Sequence, residues 1–167
     1  IRGMGFNRVL VVDNNIKHEG QQWGVDHGLE VDQYAVERLQ VTKGPASLAY
    51  GSDAIGGVIN LQSSYVPEPK TFGGELDLDY RSNNDLVGGS LLLQGRGKEL
   101  YFKSRFTYLN YGDYKVPTDS IEYNSYYFVL DNNRLRNTAG REANVYLTGG
   151  IIKENLNSSI TISNANN

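Results

Sequence analysis

Residues 36–61 read VERLQVTKGPASLAYGSDAIGGVINL, and this stretch decides the fold. Val36, Leu39 and Val41 can point to one core while Glu37, Gln40 and Thr42 do not. Gly44-Pro45 then stops strand pairing, because proline has no N–H and pushes the residue before it into an extended conformation. Pro45 also suits the first position of a short helix through Ala46, Ser47, Leu48 and Ala49, closed by Gly51. Such a helix has at most about two turns. Gly56-Gly57, just ahead of the β-branched run Val58-Ile59-Asn60-Leu61, predicts a bulge or a close backbone approach where the strand begins.

Working outward, residues 8–13 (RVLVVD) are mostly apolar and read as a buried strand, and Asp13-Asn14-Asn15 is the turn after it. Residues 16–30 (IKHEGQQWGVDHGLE) are polar, broken by Gly20, Gly24 and Gly28, and read as a loop. Asp32 can cap a short helix as easily as Val36 can start a strand. Beyond Leu61, the prolines of Tyr65-Val66-Pro67-Glu68-Pro69-Lys70 end all periodicity and predict a stiff extended linker.

Past that linker the pattern becomes strict alternation. In Leu76-Asp77-Leu78-Asp79-Tyr80 the apolar side chains share one face and the aspartates the other. Residues 86–94 place Val87, Gly89, Leu91 and Leu93 together. Residues 100–110 set Leu100, Phe102, Phe106 and Tyr108 against Lys103, Arg105 and Thr107, with Ser104 breaking the apolar face. Residues 141–153 set Ala143, Val145, Leu147, Gly149 and Ile151 against Asn144, Tyr146 and Thr148, and a fifth strand is expected from near Ser159. Segments of about ten residues suit strands that cross a bilayer at a tilt. Asp77, Asp79, Lys103 and Arg105 would be costly in lipid and belong to a hydrated lumen, whereas Leu76, Phe102 and Phe106 suit the reverse. Tyr80 and Tyr108 fall at strand ends, where an aromatic girdle sits. The intervening residues 111–140 form a long loop with the run Tyr126-Tyr127-Phe128-Val129-Leu130, read either as a strand extension or as an aromatic contact surface.

The stretch 36–61 resembles the plug domain of TonB-dependent outer-membrane receptors, whose pattern is VERIEVxKGPASxLYGSxAIGGVINI. Ile1-Arg2-Gly3 resembles that family's IRG, and residues 7–13 (NRVLVVD) resemble its NRVLVLxDG strand in the same order and spacing. Asn14-Asn15 stands where the family carries Asp-Gly. The motif residues that carry the likeness are Arg2, Gly3, Glu37, Arg38, Lys43, Gly44, Pro45, Tyr50, Gly51, Gly56, Gly57 and Asn60.

The resemblance implies a mainly β chain: a small mixed α+β plug fragment in residues 1–66, followed by antiparallel strands of a transmembrane β-barrel in residues 67–167. It implies a place in the bacterial outer membrane and the import of a scarce nutrient such as a ferric siderophore, haem, cobalamin or other metal complex. It implies TonB as energy source, contacted through a segment absent from this sequence, and membrane lipid and the rest of the barrel as neighbours. The polar loop would face the arriving ligand with His18, Gln21, Gln22, Trp23, Asp26 and His27. His18 and His27, with Glu19 and Asp26 nearby, are also weak metal-ligand candidates. Arg2, Arg38 and Glu37 are candidates for ion pairs between plug and wall. The linker would enter from the periplasm, which makes the long loop extracellular. No cofactor is implied. Five strands cannot close a barrel, so the remaining strands are expected from elsewhere.

Composition narrows the alternatives. The 167 residues carry a net charge of -3 and no cysteine, which argues against a nucleic-acid footprint and excludes disulfides, thiolate zinc sites and a cysteine nucleophile. No run approaches the length of a spanning helix. The sequence contains no G-x-S-x-G, phosphate loop, G-x-G-x-x-G or H-E-x-x-H, so no enzyme is expected. Asp77 and Asp79 could be imagined as an acid and base, but a solvated lumen face accounts for them. The competing reading is a soluble β-rich module that binds a glycan or other ligand through the tyrosine-rich loop. It requires shorter strands.

Overall fold

The computed structural model describes residues 8–18, 31–63 and 65–166, and the fold is mainly β. A four-stranded sheet is built from β1 (Val9–Asp13), β2 (Ile16–Lys17), β3 (Arg38–Thr42) and β4 (Gly57–Gln62), in the order β2-β1-β4-β3. β1 and β4 run parallel, Val9 pairing with Gly57 and Asp13 with Leu61, while β3 pairs antiparallel with β4. Asn14 and Asn15 take φ of 48° and 66°, the pair of left-handed residues a two-residue hairpin needs, and they turn β1 into β2. The loop expected from residue 16 therefore begins with two paired residues.

The apolar content of β1 and β4 makes the core of this sheet: Leu10, Val12, Ala54 and Val58 are buried together. Between β3 and β4, Gly44–Tyr50 forms the short helix, a 3-10 turn with Pro45 in its first turn. Ser47 is buried, and its hydroxyl donates to the Gly44 carbonyl at 2.8 Å. Gly51 closes the turn with φ 102°, its N–H donating to Leu48 at 3.1 Å; a side chain there would be strained. Gly56 makes the close approach, its N–H donating to the Arg8 carbonyl at 2.7 Å. Asp32 caps no helix: its carboxylate accepts from the Tyr34 N–H and its carbonyl from the Ala35 N–H, both at 3.0 Å. β3 starts only at Arg38. Leu39 and Val41 correct the expectation of a shared core, because β3 is the outer strand of its sheet and both remain exposed.

The second sheet is an antiparallel meander of β5 (Thr71–Arg81), β6 (Leu86–Arg96), β7 (Leu100–Tyr111), β12 (Gly140–Lys153) and β13 (Leu156–Asn164). The strands hold 11, 11, 12, 14 and 9 residues, long enough to cross a bilayer at a tilt and longer than a small sandwich uses. The fifth strand begins at Leu156, earlier than the sequence predicts, because Glu154-Asn155 alone makes the turn. Pairing puts Leu76, Leu91, Phe106 and Val145 in one row across four strands. That face is apolar and mostly exposed. Ser104, the break in it, donates its hydroxyl to the Leu93 carbonyl.

The opposite face carries Ser90, Lys103, Arg105, Thr107, Asn144, Tyr146 and Thr148, all buried. A hydrated lumen surface was expected there. Lys103 and Arg105 are instead dry, at 3% and 4% exposure, where ion pairs and hydrogen bonds hold the Lys103 ammonium and the Arg105 NH groups. The linker is held too, with the Thr71 hydroxyl donating to Glu68 O at 2.6 Å and Arg96 reaching Pro67 O at 3.3 Å.

The long loop is ordered as two small ribbons, β8 (Tyr114–Lys115) with β11 (Arg134–Leu135), and β9 (Ser120–Tyr123) with β10 (Tyr126–Val129). The first ribbon is a foot fastened to the β5–β6 turn: Lys115 and Arg134 both reach Asp85, and Asp113 accepts from the Thr138 and Ala139 amides at 2.9 Å. Tyr123, Tyr126, Tyr127, Phe128 and Val129 stand exposed on the second ribbon, so 126–129 of the run form a strand whose aromatic side chains are uncovered.

Hydrogen bonds from Lys115 first, then Arg134, hold the Asp85 carboxyl below the usual carboxylate range, and the Thr138 amide does the same for Asp113. A lowered folded value means that the anchorage is complete above the unfolded carboxylate pKa near 3.9 and is lost as pH falls through the folded values. Hydrogen-exchange protection of the Thr138 and Ala139 amides, corrected for intrinsic rates, is expected to hold from neutral pH to about pH 4 and to fall below it. Protection unchanged down to pH 2 would show that the foot does not depend on these carboxylates.

Candidate functional site

The two sheets meet through polar contacts that long sequence separations hide. Glu37, just before β3, forms an ion pair with Lys103 on β7. Lys103 also donates to the Ser63 carbonyl at 2.9 Å and lies 5.9 Å from the Tyr146 ring centre. Its side chain is 2% exposed, against 28% for Glu37. Four residues along β7, Thr107 donates its hydroxyl to Asp32 at 2.7 Å and lies 2.8 Å from the Ser90 hydroxyl. Arg105, between them, stays within the wall: it reaches Asp77 at 3.2 Å, Ser90 at 3.1 Å and Glu75 at 3.3 Å. Alternation along β7 thus puts three polar side chains on one face, of which Lys103 and Thr107 reach the first sheet's side, while Phe102 and Phe106 point away.

A match to the TonB-dependent receptor plug domain covers residues 1–58, the part of the chain that contributes β1, β3 and the glycine-rich turns. Residues 1–58 thus carry the plug domain of the TonB-dependent receptors. The chain is 41% identical over 68 residues to an iron-regulated outer membrane virulence protein of Vibrio cholerae serotype O1, an overlap of 36% of this chain and 10% of that protein. It is 30% identical over 93 residues to the vitamin B12 transporter BtuB of Photobacterium profundum, covering 53% of this chain and 15% of that one. Over 124 residues it is 33% identical to BtuB of Vibrio vulnificus, covering 67% and 20%. The receptor chain therefore spans between a tenth and a fifth of the length of these relatives, and its place is the bacterial outer membrane.

Of the receptor's plug-motif residues, Glu37 makes the contact with the wall, whereas Arg38 is exposed on edge strand β3. Lys43 precedes the 3-10 turn in extended conformation, Gly44 takes φ 75°, Tyr50 ends the turn partly exposed, and Gly57 takes φ 135°. Asn60 is buried and donates to Asn15 at 3.0 Å. Arg2 and Gly3 lie outside the described residues, as do Gln21, Gln22, Trp23, Asp26 and His27 from the candidate ligand loop.

His18 is the described member of that loop. Its N–H donates to Val11 O at 2.9 Å, and its Nε2 is buried without a partner. It lines a cavity of about 240 Å³ with Asp13, Asp32, Ser63 and Tyr146, where plug meets wall. Burial pushes the Asp13 carboxyl up, an effect tempered by the charge of His18. Among the described residues no group of three or more His, Cys, Asp or Glu side chains could hold a metal ion, and His27, the other weak metal candidate, lies outside them.

Sequence reading missed the partners of Lys103 and Thr107. Their one visible signal was two cationic residues alternating with phenylalanines on a bilayer-length strand. Such a pattern says that a charge faces inward, without saying which residue receives it.

Proposed function

We propose that this chain is the closing part of a plug, residues 1–66, and the first strands of the surrounding barrel wall, residues 67–167, of a receptor that binds a scarce nutrient and carries it across the outer membrane. The observation that supports this reading is the docking of the plug-motif residue Glu37 onto Lys103 of a wall whose other face is a continuous apolar band. A sheet with one buried charged face and one exposed apolar face suits a position between plug and lipid. The strand lengths disfavour the soluble glycan-binding module.

In this reading the long loop is extracellular and the linker periplasmic. Ligand reaches the plug from above, at the loop bearing His18, Gln21, Gln22, Trp23, Asp26 and His27, and TonB acts from below. No bond in the nutrient is made or broken. Binding shifts the plug between an occluding and an open arrangement, and the shift must loosen Glu37–Lys103 and Asp32–Thr107, since both tie the plug to the wall. The nutrient is a metal complex or cobalamin, the two directions suggested by a relative named for iron regulation and others named as vitamin B12 transporters.

Titration calorimetry of the complete detergent-solubilised receptor with cyanocobalamin, iron-loaded desferrioxamine and haemin tests the reading. At least one is expected to bind with a Kd of about 1 μM or below, roughly 8 kcal/mol of binding free energy. Binding of none, together with no nutrient uptake dependent on the receptor in cells, would overturn it.

A further inference from the structure

We infer that the cleft between plug and wall, beneath the foot of the long loop, binds a small molecule presenting a carboxamide-type group beside an apolar surface, and that Asn84 reads that group. This rests on the nutrient-receptor reading and deepens it. The cleft holds about 590 Å³, within the range of small-molecule sites, and is walled by Val36, Leu39 and Leu61 from the plug side and by Leu86 and Leu109 from the wall. Leu39, left exposed by its edge strand, gains a purpose as part of this lining.

Asn84 lines the same cleft at 1% exposure, and neither its Nδ2 nor its Oδ1 has a hydrogen-bond partner. Among the described residues it is the one side chain with both amide atoms buried and unpaired. Buried polar groups are nearly always satisfied, so such an amide calls for a partner that comes and goes. The residue is held in place by other means. Its carbonyl accepts from the Gly112 N–H at 2.7 Å, and its neighbour Asp85 is gripped by Lys115 and Arg134. The side chain is therefore preorganised by bonds that leave its own donor and acceptor unused.

An amide offers a donor and an acceptor side by side. The matching ligand group offers an acceptor and a donor in the same arrangement, as a carboxamide, a lactam or an N–H amide does. A carboxylate would satisfy Nδ2 and leave Oδ1 facing oxygen. Arg81, which also lines the cleft, is already paired with Asp79 at 2.8 Å, so the site is not a ready anion hole.

The complete receptor and its Asn84→Leu variant are titrated with cyanocobalamin and iron-loaded desferrioxamine, which carry amides, and with haemin, which carries none. Wild-type receptor is expected to bind an amide-bearing probe, and the variant to bind it at least ten-fold more weakly. The ligand-free thermal midpoint should hold or rise in the variant, because leucine keeps the volume and removes an unpaired amide. Unchanged affinity with a lowered midpoint would mean that ordered water satisfies Asn84 and would overturn the proposal. Tight binding of haemin alone would overturn it while leaving the receptor reading intact. Binding of no probe would overturn the proposal, and the receptor reading with it where receptor-dependent nutrient uptake in cells is also absent.

Discussion

Replacing Glu37 with glutamine is expected to destabilise the docked plug by about 3 kcal/mol, whereas replacing Lys103 with methionine should cost only about 1 kcal/mol. The asymmetry follows from burial. Lys103 has a side chain 2% exposed and cannot recover water when its counter-charge goes; Glu37, at 28%, can rehydrate in place. In Glu37→Gln the ammonium keeps the Ser63 carbonyl and the face of Tyr146, but an uncompensated buried charge is the costly term. Urea unfolding of the receptor, followed by a fluorophore on the plug, measures both variants, and the double variant should lie near Lys103→Met alone, because the two residues act as one unit. Equal costs, or a larger cost for Lys103→Met, would show that the pair is stabilised by solvent-screened attraction rather than by the avoidance of a stranded charge.

Leu10→Ala is expected to cost about 3 kcal/mol and to melt the plug sheet while the wall persists. Leu10 is 2% exposed and packs with Val12, Ala54 and Val58 in a cluster of four side chains. So small a core has little room to collapse around a cavity, which puts the cost in the middle of the range for leucine truncation. The wall presents an exposed apolar face and is held by strand pairing from β5 to β13, so it does not depend on this cluster. Amide exchange should report lost protection in β1 and β4 with β6 and β7 unchanged. Simultaneous loss in both sheets would refute the independence of the two cores.

Much of this architecture was legible in residues 36–62 and 71–164 for simple steric reasons. Pro45 and Gly51 bracket a turn that few other residues could start and stop, and period-two alternation in Leu76–Tyr80 and Leu100–Tyr108 names the two faces of the wall without any knowledge of what lies beyond them. The legible part ends where a side chain's state depends on a distant partner. Leu39 and Val41 looked like core because apolar residues usually are, yet an edge strand has no second neighbour to cover them. Lys103 looked hydrated because lysine usually is, yet Glu37 lies 66 residues away. Asn84 sits in the turn between β5 and β6, a place that is usually solvated, and its burial there depends on the packing of the loop's foot. Charge, period and turn propensity are local properties, whereas burial is decided by segments that meet in space.

The parallel pairing of β1 with β4 also sets an order of assembly. Each hairpin from β5 to β7 joins neighbours across a few residues and can zip as soon as both strands exist, as can β12 with β13. Val9, by contrast, must wait for Gly57 and must cross everything between them before its first ladder bond rewards the closure. Chain entropy makes such distant contacts slow. The plug sheet should therefore be the late event in folding, with β1 and β4 the last strands to find their partners.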